Sequence, residues 1–158
     1  MNIKLFILLI LVLSVGAFWI LPATGFGRRM KMNERLFYTI NIIGVVCGGA
    51  GLAASMIMKQ KILNGHYFEI ILLPAVIIYL YSAVVMKAGD SGDPYDEKQS
   101  FNMTQAAALS LPFSMGGMFL LYAFFREGVF EGLVWFPLYV FLTLTVYSAG
   151  TLIYFRRS

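Results

Sequence analysis

The sequence predicts an all-α fold, a polytopic transmembrane helical bundle of about five spans that forms one integral membrane domain over residues 1–158. Only 13% of the residues are charged and 59% are hydrophobic, whereas soluble domains carry about 25% charged residues. The apolar residues gather in stretches close to the ~20 residues that a helix needs to cross the hydrocarbon core. The charged residues fall between these stretches, so a water-soluble surface is excluded.

Five stretches have this apolar character and contain no charged residue. They cover residues 5–21, 36–58, 70–86, 103–125 and 133–155. Hydrocarbon offers no hydrogen-bond partner to the backbone, so each stretch is expected to be helical despite its Val, Ile and Phe content.

The first stretch has two interpretations. Lys4 precedes an apolar run, which is also the pattern of a secretory signal peptide. The run is long enough to span the bilayer, however, and strongly basic residues follow it. We therefore expect residues 5–21 to form a retained membrane span.

The Lys and Arg residues predict an orientation. With five spans, eight of the twelve fall on one side of the membrane and four on the other. The positive-inside rule places the richer side in the cytoplasm, with the N-terminus outside and the C-terminus inside. The eight residues are Arg28, Arg29, Lys31, Arg35, Lys87, Lys98, Arg156 and Arg157.

Several classes of function are disfavoured by what the spans lack. Ion-coupled transporters usually carry ionisable residues inside their spans. The polar residues inside these spans are neutral, chiefly Asn41, Thr143, Thr145 and a few serines. The single histidine, His66, cannot build a histidine-based metal cluster. We therefore expect no catalytic, cofactor or metal site, and no nucleic-acid binding, since the basic residues flank the spans.

A line of small residues marks one face of the stretch 36–58. Gly44, Gly48, Gly51 and Ser55 recur every three or four residues, on one side of a helix. In lipid, small residues let two backbones approach closely, and this contact drives helix association. We expect a helix-packing face here; the alternative is a path for a lipid or small solute along the groove.

The stretch 103–125 carries a second face of this kind. Ala107, Ser110, Ser114 and Gly117 share one side of the predicted helix. Pro112 lacks a backbone N–H and is expected to kink this helix. We expect the two small faces to pack on each other, within one chain or between chains.

A polar segment precedes the stretch 103–125 and has the signature of a helix start. Asp93 suits the N-cap, Pro94 suits the first helical position, and Asp96 with Glu97 complements the positive helix end. The helix is expected to run from here directly into the span. The motif as a whole consists of Asp93, Tyr95, Asp96, Glu97, Lys98 and Gln99.

The carboxylates of this polar motif have two interpretations. We expect them to pair with basic residues on the same side of the membrane, namely Arg28, Arg29, Lys31 or Arg35. The alternative is a divalent-cation site, although the spacing does not match a calcium-binding loop.

The pentapeptide Tyr95-Asp96-Glu97-Lys98-Gln99 precedes two spans and an aromatic-basic end, Tyr154-Phe155-Arg156-Arg157. This arrangement resembles small prokaryotic multi-pass membrane proteins of unknown function that carry a Tyr-Asp-Glu-Arg-Gln-like motif. Toxin-immunity proteins of sporulating bacteria are similar in size and layout. The resemblance covers about residues 36–157, with Lys98 in place of the usual Arg. It implies location in a prokaryotic cytoplasmic membrane and no particular mechanism.

These features together lead us to expect a non-enzymatic membrane protein. It would act by helix–helix contact with a membrane-protein partner or with copies of itself, through the small faces of the stretches 36–58 and 103–125, in an accessory or immunity-like role. The alternative is a subunit of a larger membrane transport complex or other membrane complex.

Overall fold

The computed structural model describes residues 33–64, 67–88, 94–130 and 132–157, with single positions at 9, 12, 13, 16, 20 and 24. The described residues form helices and turns, with no strand among them. The helices are α1 (Glu34–Ile57), α2 (Lys59–Asn64), α3 (Tyr67–Ala88), α4 (Pro94–Arg126) and α5 (Trp135–Arg157); a 3-10 turn (Gly132–Val134) leads into α5.

Four helices are long and apolar enough to cross a membrane: α1, α3, α4 and α5. The chain is therefore a multi-pass transmembrane helical protein, and the all-α prediction is confirmed. These helices correspond to the predicted spans 36–58, 70–86, 103–125 and 133–155. The predicted first span, 5–21, lies almost entirely outside the described residues and stays a prediction.

Polar residues at the helix ends extend α1 and α4 beyond their apolar stretches. Asn33 caps α1, because its side-chain oxygen accepts a hydrogen bond from the Leu36 amide at 2.7 Å. Pro94 is the first residue of α4, as the sequence predicts, and the helix continues through Pro112. The helix α4 thus begins nine residues before the predicted span 103–125.

A glycine closes α4 at its other end. Gly128 adopts a positive φ of 75°, a conformation that costs glycine little. Its amide donates to the Phe125 carbonyl at 3.1 Å, and the Val129 amide donates to the Phe124 carbonyl at 2.9 Å. This pair of bonds is the Schellman arrangement, which satisfies carbonyls that the helix end leaves without partners.

The membrane-length helices lie in the spatial order α3, α1, α5, α4. The helix α5 packs against both α1 and α4, and α3 packs against α1. Phe37 at the start of α1 meets Phe155 at the end of α5, with ring centroids 5.2 Å apart. Each neighbouring pair is antiparallel, so α1 and α4 begin at the same end of the bundle where α3 and α5 finish.

An apolar cluster lies at that shared end. Phe37 and Ile40 of α1 form a buried cluster with Val85 of α3, and Phe155 packs against it. At the opposite end, the short helix α2 contacts α1, α3 and the 3-10 turn before α5. Both ends of the bundle are therefore fixed by contacts between different helices.

Candidate functional site

The predicted small face of α1 is fully buried, and it lies against α5. Gly44, Gly48, Gly51 and Ser55 are all buried. A Cβ built on Gly48 would meet the Thr145 side chain and lie 3.1 Å from the Phe141 carbonyl oxygen. A Cβ on Gly51 would overlap the Phe141 ring. The absence of side chains therefore sets how closely these two backbones approach.

The small face of α4 also lies against α5, with one change in its membership. Ser110 and Ser114 are buried, at 7% and 8% exposure, and a Cβ on Gly117 would lie 2.6 Å from Leu142 Cδ2. Ala107, predicted for this face, is exposed. Its neighbour Ala106 is buried instead, because it faces Gly150 of α5. Ala106 lies four residues before Ser110, on the same side of the helix.

The two small faces do not pack on each other among the described residues of this chain. The helix α5 lies between α1 and α4 and contacts both. On the α4 side, Ser114 Oγ is 3.0 Å from Thr143 Oγ1 and 3.0 Å from the Tyr139 hydroxyl. The expectation of a direct contact between the faces is wrong within one chain, since helical periodicity identifies a face and not its partner.

Three polar side chains from three helices meet inside the bundle, and we call them the three-helix polar cluster: Asn41 of α1, Tyr79 of α3 and Ser148 of α5. The Tyr79 hydroxyl has one proton and two acceptors within reach, Asn41 Oδ1 at 3.2 Å and Ser148 Oγ at 2.7 Å. Asn41 and Ser148 are 1% and 0% exposed. The cluster therefore joins the three helices, with the Asn41 and Ser148 side chains buried and Tyr79 partly buried.

Each end of this cluster is also bonded to the backbone of its own helix. Asn41 Nδ2 donates to the Phe37 carbonyl at 2.9 Å, and Ser148 Oγ donates to the Leu144 carbonyl at 2.6 Å. Gly44 provides the space, since a Cβ there would lie 2.7 Å from the Tyr79 hydroxyl. One glycine of the small face thus serves the polar cluster as well as backbone approach.

The chemistry available in the three-helix polar cluster is that of a neutral amide, a phenol and an alcohol. It contains no carboxylate or imidazole to act as a general base, the role that would activate a serine as a nucleophile. Its hydrogen bonds fix the rotation of α1, α3 and α5 relative to one another. Asn41 stands out in the sequence as a polar residue inside an apolar span, but no sequence pattern assigns Tyr79 and Ser148 as its partners.

A groove opens between α4 and α5. It has a volume of 430 Å³, and apolar atoms dominate its lining. A Cβ built on Gly116 would meet no atom within 4 Å. The lining residues are Pro112, Phe113, Gly116, Gly117, Leu120, Leu142 and Val146. The groove thus presents small residues toward the hydrocarbon.

The predicted polar motif lies only partly within the described residues. Tyr95, Asp96, Glu97, Lys98 and Gln99 belong to the first turns of α4, and the Glu97 side chain is exposed. For the other four residues the structure describes the backbone only. Asp93 lies outside the described residues.

The basic residues expected to pair with this motif are likewise divided. Arg28, Arg29 and Lys31 lie outside the described residues, while Arg35 is exposed at the start of α1. No ion pair joins Arg35 to Glu97, the two described members of the expected pairing. Among the described residues, no group of three His, Cys, Asp or Glu side chains is placed to hold a metal ion. The pairing therefore stays a prediction.

Comparison with protein-family models, curated proteins and solved structures finds no match to this chain. The resemblance based on Tyr95 to Gln99 therefore stays a prediction.

We predict that Gly48→Leu destabilises the bundle by about 1–3 kcal/mol, the usual cost of overpacking a filled interior. The physical reason is that the new side chain must displace Thr145 or the α5 backbone. The matched control is Gly49→Leu, since a Cβ at Gly49 meets nothing within 4 Å. The measurement is unfolding of purified protein by sodium dodecyl sulfate in mixed micelles, followed by circular dichroism. Equal effects at both positions would contradict the close approach of α1 to α5.

We predict that Tyr79→Phe costs about 1 kcal/mol of stability, because it removes interhelical hydrogen bonds within the membrane. Tyr81→Phe is the control on the same helix, since Tyr81 is 37% exposed and makes no hydrogen bond to a described residue. The same unfolding titration compares the two variants. A Tyr79→Phe midpoint equal to that of Tyr81→Phe would show that the three-helix polar cluster contributes no stability.

Proposed function

We propose that this chain is a non-enzymatic membrane protein that acts by helix–helix contact with another membrane chain, in an accessory or immunity-like role. The observation that carries the proposal is the apolar groove beside α4. The partner is a transmembrane helix, belonging either to a different membrane protein or to a second copy of this chain.

The helix α4 is the least covered membrane helix of the described bundle. Only 11% of the residues in the apolar segment of α4 are buried. The corresponding fraction is 33% for α1 and 28% for the segment that contains α5. Among the described helices, α4 packs chiefly against α5. Exposed apolar side chains are normal in lipid, so this exposure alone does not indicate a partner.

The small residues of the groove favour a helix as the occupant. Gly116 lies on the open side of α4, next to Gly117, which is already in contact with α5. Adjacent small positions allow a third backbone to approach α4 closely, and such approach favours helix association where no hydrophobic driving force acts. The Pro112 and Phe113 side chains border this site and give it a defined shape.

The proposed partner contact lies on α4 and not on the small face of α1. Gly44, Gly48 and Gly51 already receive α5 and Tyr79. A second chain could reach them only by displacing α5. The sequence predicts a partner contact on both small faces. The proposed contact uses only the open side of α4.

The alternative function, a subunit of a larger membrane transport complex or other complex, would use the same surface. The polar side chains that the described spans bury, such as Asn41, Ser114 and Thr143, are neutral, and this limits the alternative. Ion coupling usually needs ionisable residues, so other chains would have to supply them. Co-purification of a chain with charged residues in its spans would favour this alternative.

The proposed location is the cytoplasmic membrane of a prokaryote, with the N-terminus outside and the C-terminus inside. The distribution of Lys and Arg supports this orientation. The start of α4 then faces the cytoplasm. The polar motif there would dock to the basic first loop or to a cytosolic partner.

We predict that Gly116→Leu weakens association with the partner chain by about tenfold or more, because the leucine fills the groove and keeps a third helix away. The monomer should fold normally, since a Cβ at Gly116 meets no atom within 4 Å. The measurement is cross-linking in native membranes, followed by mass spectrometry of the cross-linked species. The mass identifies a second copy or a different protein.

The control for this experiment is Gly49→Leu, an equally open glycine on the lipid-exposed side of α1. It should leave cross-linking unchanged. Cross-linking of Gly116→Leu at the level of the unmodified chain would remove the groove as the contact site. Absence of any cross-linked species from the unmodified chain in its native membrane would count against the proposed function itself.

The orientation is testable with cysteines at the two ends of α4. In a Cys47→Ala background, we expect Glu127→Cys to react with an impermeant maleimide on spheroplasts, and Glu97→Cys to react only after permeabilisation. Both native glutamates are exposed and flank one membrane helix. The reverse labelling pattern would place the N-terminus inside.

A further inference from the structure

A second pocket opens at the end of the bundle where α1 begins and α5 finishes. It has a volume of 610 Å³. The lining residues are Glu34, Arg35, Tyr38, Phe155 and Arg156. It is separate from the groove beside α4. Of its residues, Arg35 alone has an expected role elsewhere, as one of four possible partners of the polar motif.

Packing between α1 and α5 holds the two arginines at this pocket. Phe37 is 1% exposed, and its ring lies 5.2 Å from the Phe155 ring. This contact joins residues that are far apart in the sequence. Arg35 on one helix and Arg156 on the other are therefore both placed at the mouth of one cavity.

The charged groups of this pocket have no charged partner within the described chain. Arg35, Arg156 and Glu34 are all exposed. None of them makes an ion pair with another described residue. Two cations and one carboxylate give the lining a net charge of +1, and the guanidinium groups suit bidentate bonding to phosphate oxygens.

The first turn of α1 adds to the attraction for an anion. Asn33 satisfies the amides of Leu36 and Phe37, at 2.7 and 3.0 Å. The amides of Glu34 and Arg35 have no carbonyl partner within the helix, as at every helix start. Together with the helix dipole they favour negative charge at this end of α1.

The height of the pocket relative to the membrane restricts the class of ligand. Glu34 begins one membrane-spanning segment, and Arg156 ends another. The pocket thus lies at the boundary between hydrocarbon and water, where phospholipid phosphates lie. A strip of exposed apolar residues continues from it along α1, namely Tyr38, Ile42 and Val46, at 47%, 39% and 62% exposure.

We propose that this pocket binds an anionic phospholipid, with the headgroup phosphate between Arg35 and Arg156. One acyl chain lies along the strip formed by Tyr38, Ile42 and Val46. A headgroup with a net negative charge, such as phosphatidylglycerol, balances the net positive lining. The Glu34 carboxylate opposes binding of this headgroup.

The role of Glu34 distinguishes phosphatidylglycerol from the zwitterionic lipid phosphatidylethanolamine. An ethanolamine ammonium would pair with Glu34 while its phosphate met the arginines. Removing the carboxylate with Glu34→Gln then has opposite effects on the two lipids. It strengthens binding of the anionic lipid and weakens binding of the zwitterionic one.

The experiment is native mass spectrometry of the full chain in detergent with an equimolar mixture of the two lipids. For the double variant Arg35→Gln, Arg156→Gln, we expect phosphatidylglycerol affinity to fall at least about fivefold, since charge-assisted hydrogen bonds to phosphate are lost. The control is Arg126→Gln, which should leave phosphatidylglycerol affinity unchanged. Arg126 is an exposed arginine at the C-terminal end of α4, at the other end of the bundle from the pocket. Glu34→Gln should raise the affinity, and Arg156→Gln alone should lower it in a chain that keeps Arg35.

Three results would overturn the proposal. The first is equal phosphatidylglycerol binding by the double variant and Arg126→Gln, with both variants shown to be helical by circular dichroism. The second is retention of phosphatidylethanolamine at least as tightly as phosphatidylglycerol by the unmodified chain in the equimolar mixture, which would make the site zwitterionic. The third is complete displacement of lipid by millimolar inorganic phosphate, which would make it a site for soluble anions. None of these measurements depends on the groove beside α4.

Discussion

The close approach of α1 to α5 is the constraint on which the rest of this bundle depends. In hydrocarbon, the hydrophobic effect gives no preference for helix–helix contact over helix–lipid contact, so association relies on packing and hydrogen bonds. Gly48 and Gly51 allow the Phe141 ring and the α5 backbone to lie directly against α1. The contact between Phe37 and Phe155, the three-helix polar cluster and the arginine-lined pocket all require this spacing. A bundle with wider separation would lose these features together.

The polar side chains of the bundle are used to orient helices. Asn41, Tyr79 and Ser148 join three helices, while Ser114 and Thr143 join α4 to α5. Neutral groups suit this role in a membrane, because they avoid the cost of burying a charge. In the described part of the chain, these bonds give the bundle a defined shape. The groove beside α4 and the charged end of the bundle are the surfaces on which our proposals rest.

The spans could be predicted because the bilayer imposes a length and excludes charge. The extension of α4 back to Pro94 also followed from local chemistry, since capping depends on nearby residues. The partner of each small face could not be predicted, because a helical period identifies which side of a helix is small and nothing about its neighbour. The exchange of Ala107 for Ala106 has the same origin: both lie close to the Ser110 side of the helix, and only the position of α5 decides between them. The partners of Asn41 are distant in sequence, and no local rule connects them.

The central position of α5 has a consequence for biogenesis. Of the membrane helices that the structure describes, α5 follows the others in the chain, so it leaves the ribosome after them. Until it is inserted, the glycines of α1 and the serines of α4 face lipid, and the pair α1 and α3 has only its own contacts. A chain truncated before residue 135 would therefore lack the helix that joins the pair α1 and α3 to α4. Membrane proteases would then encounter two parts of the chain that do not pack together.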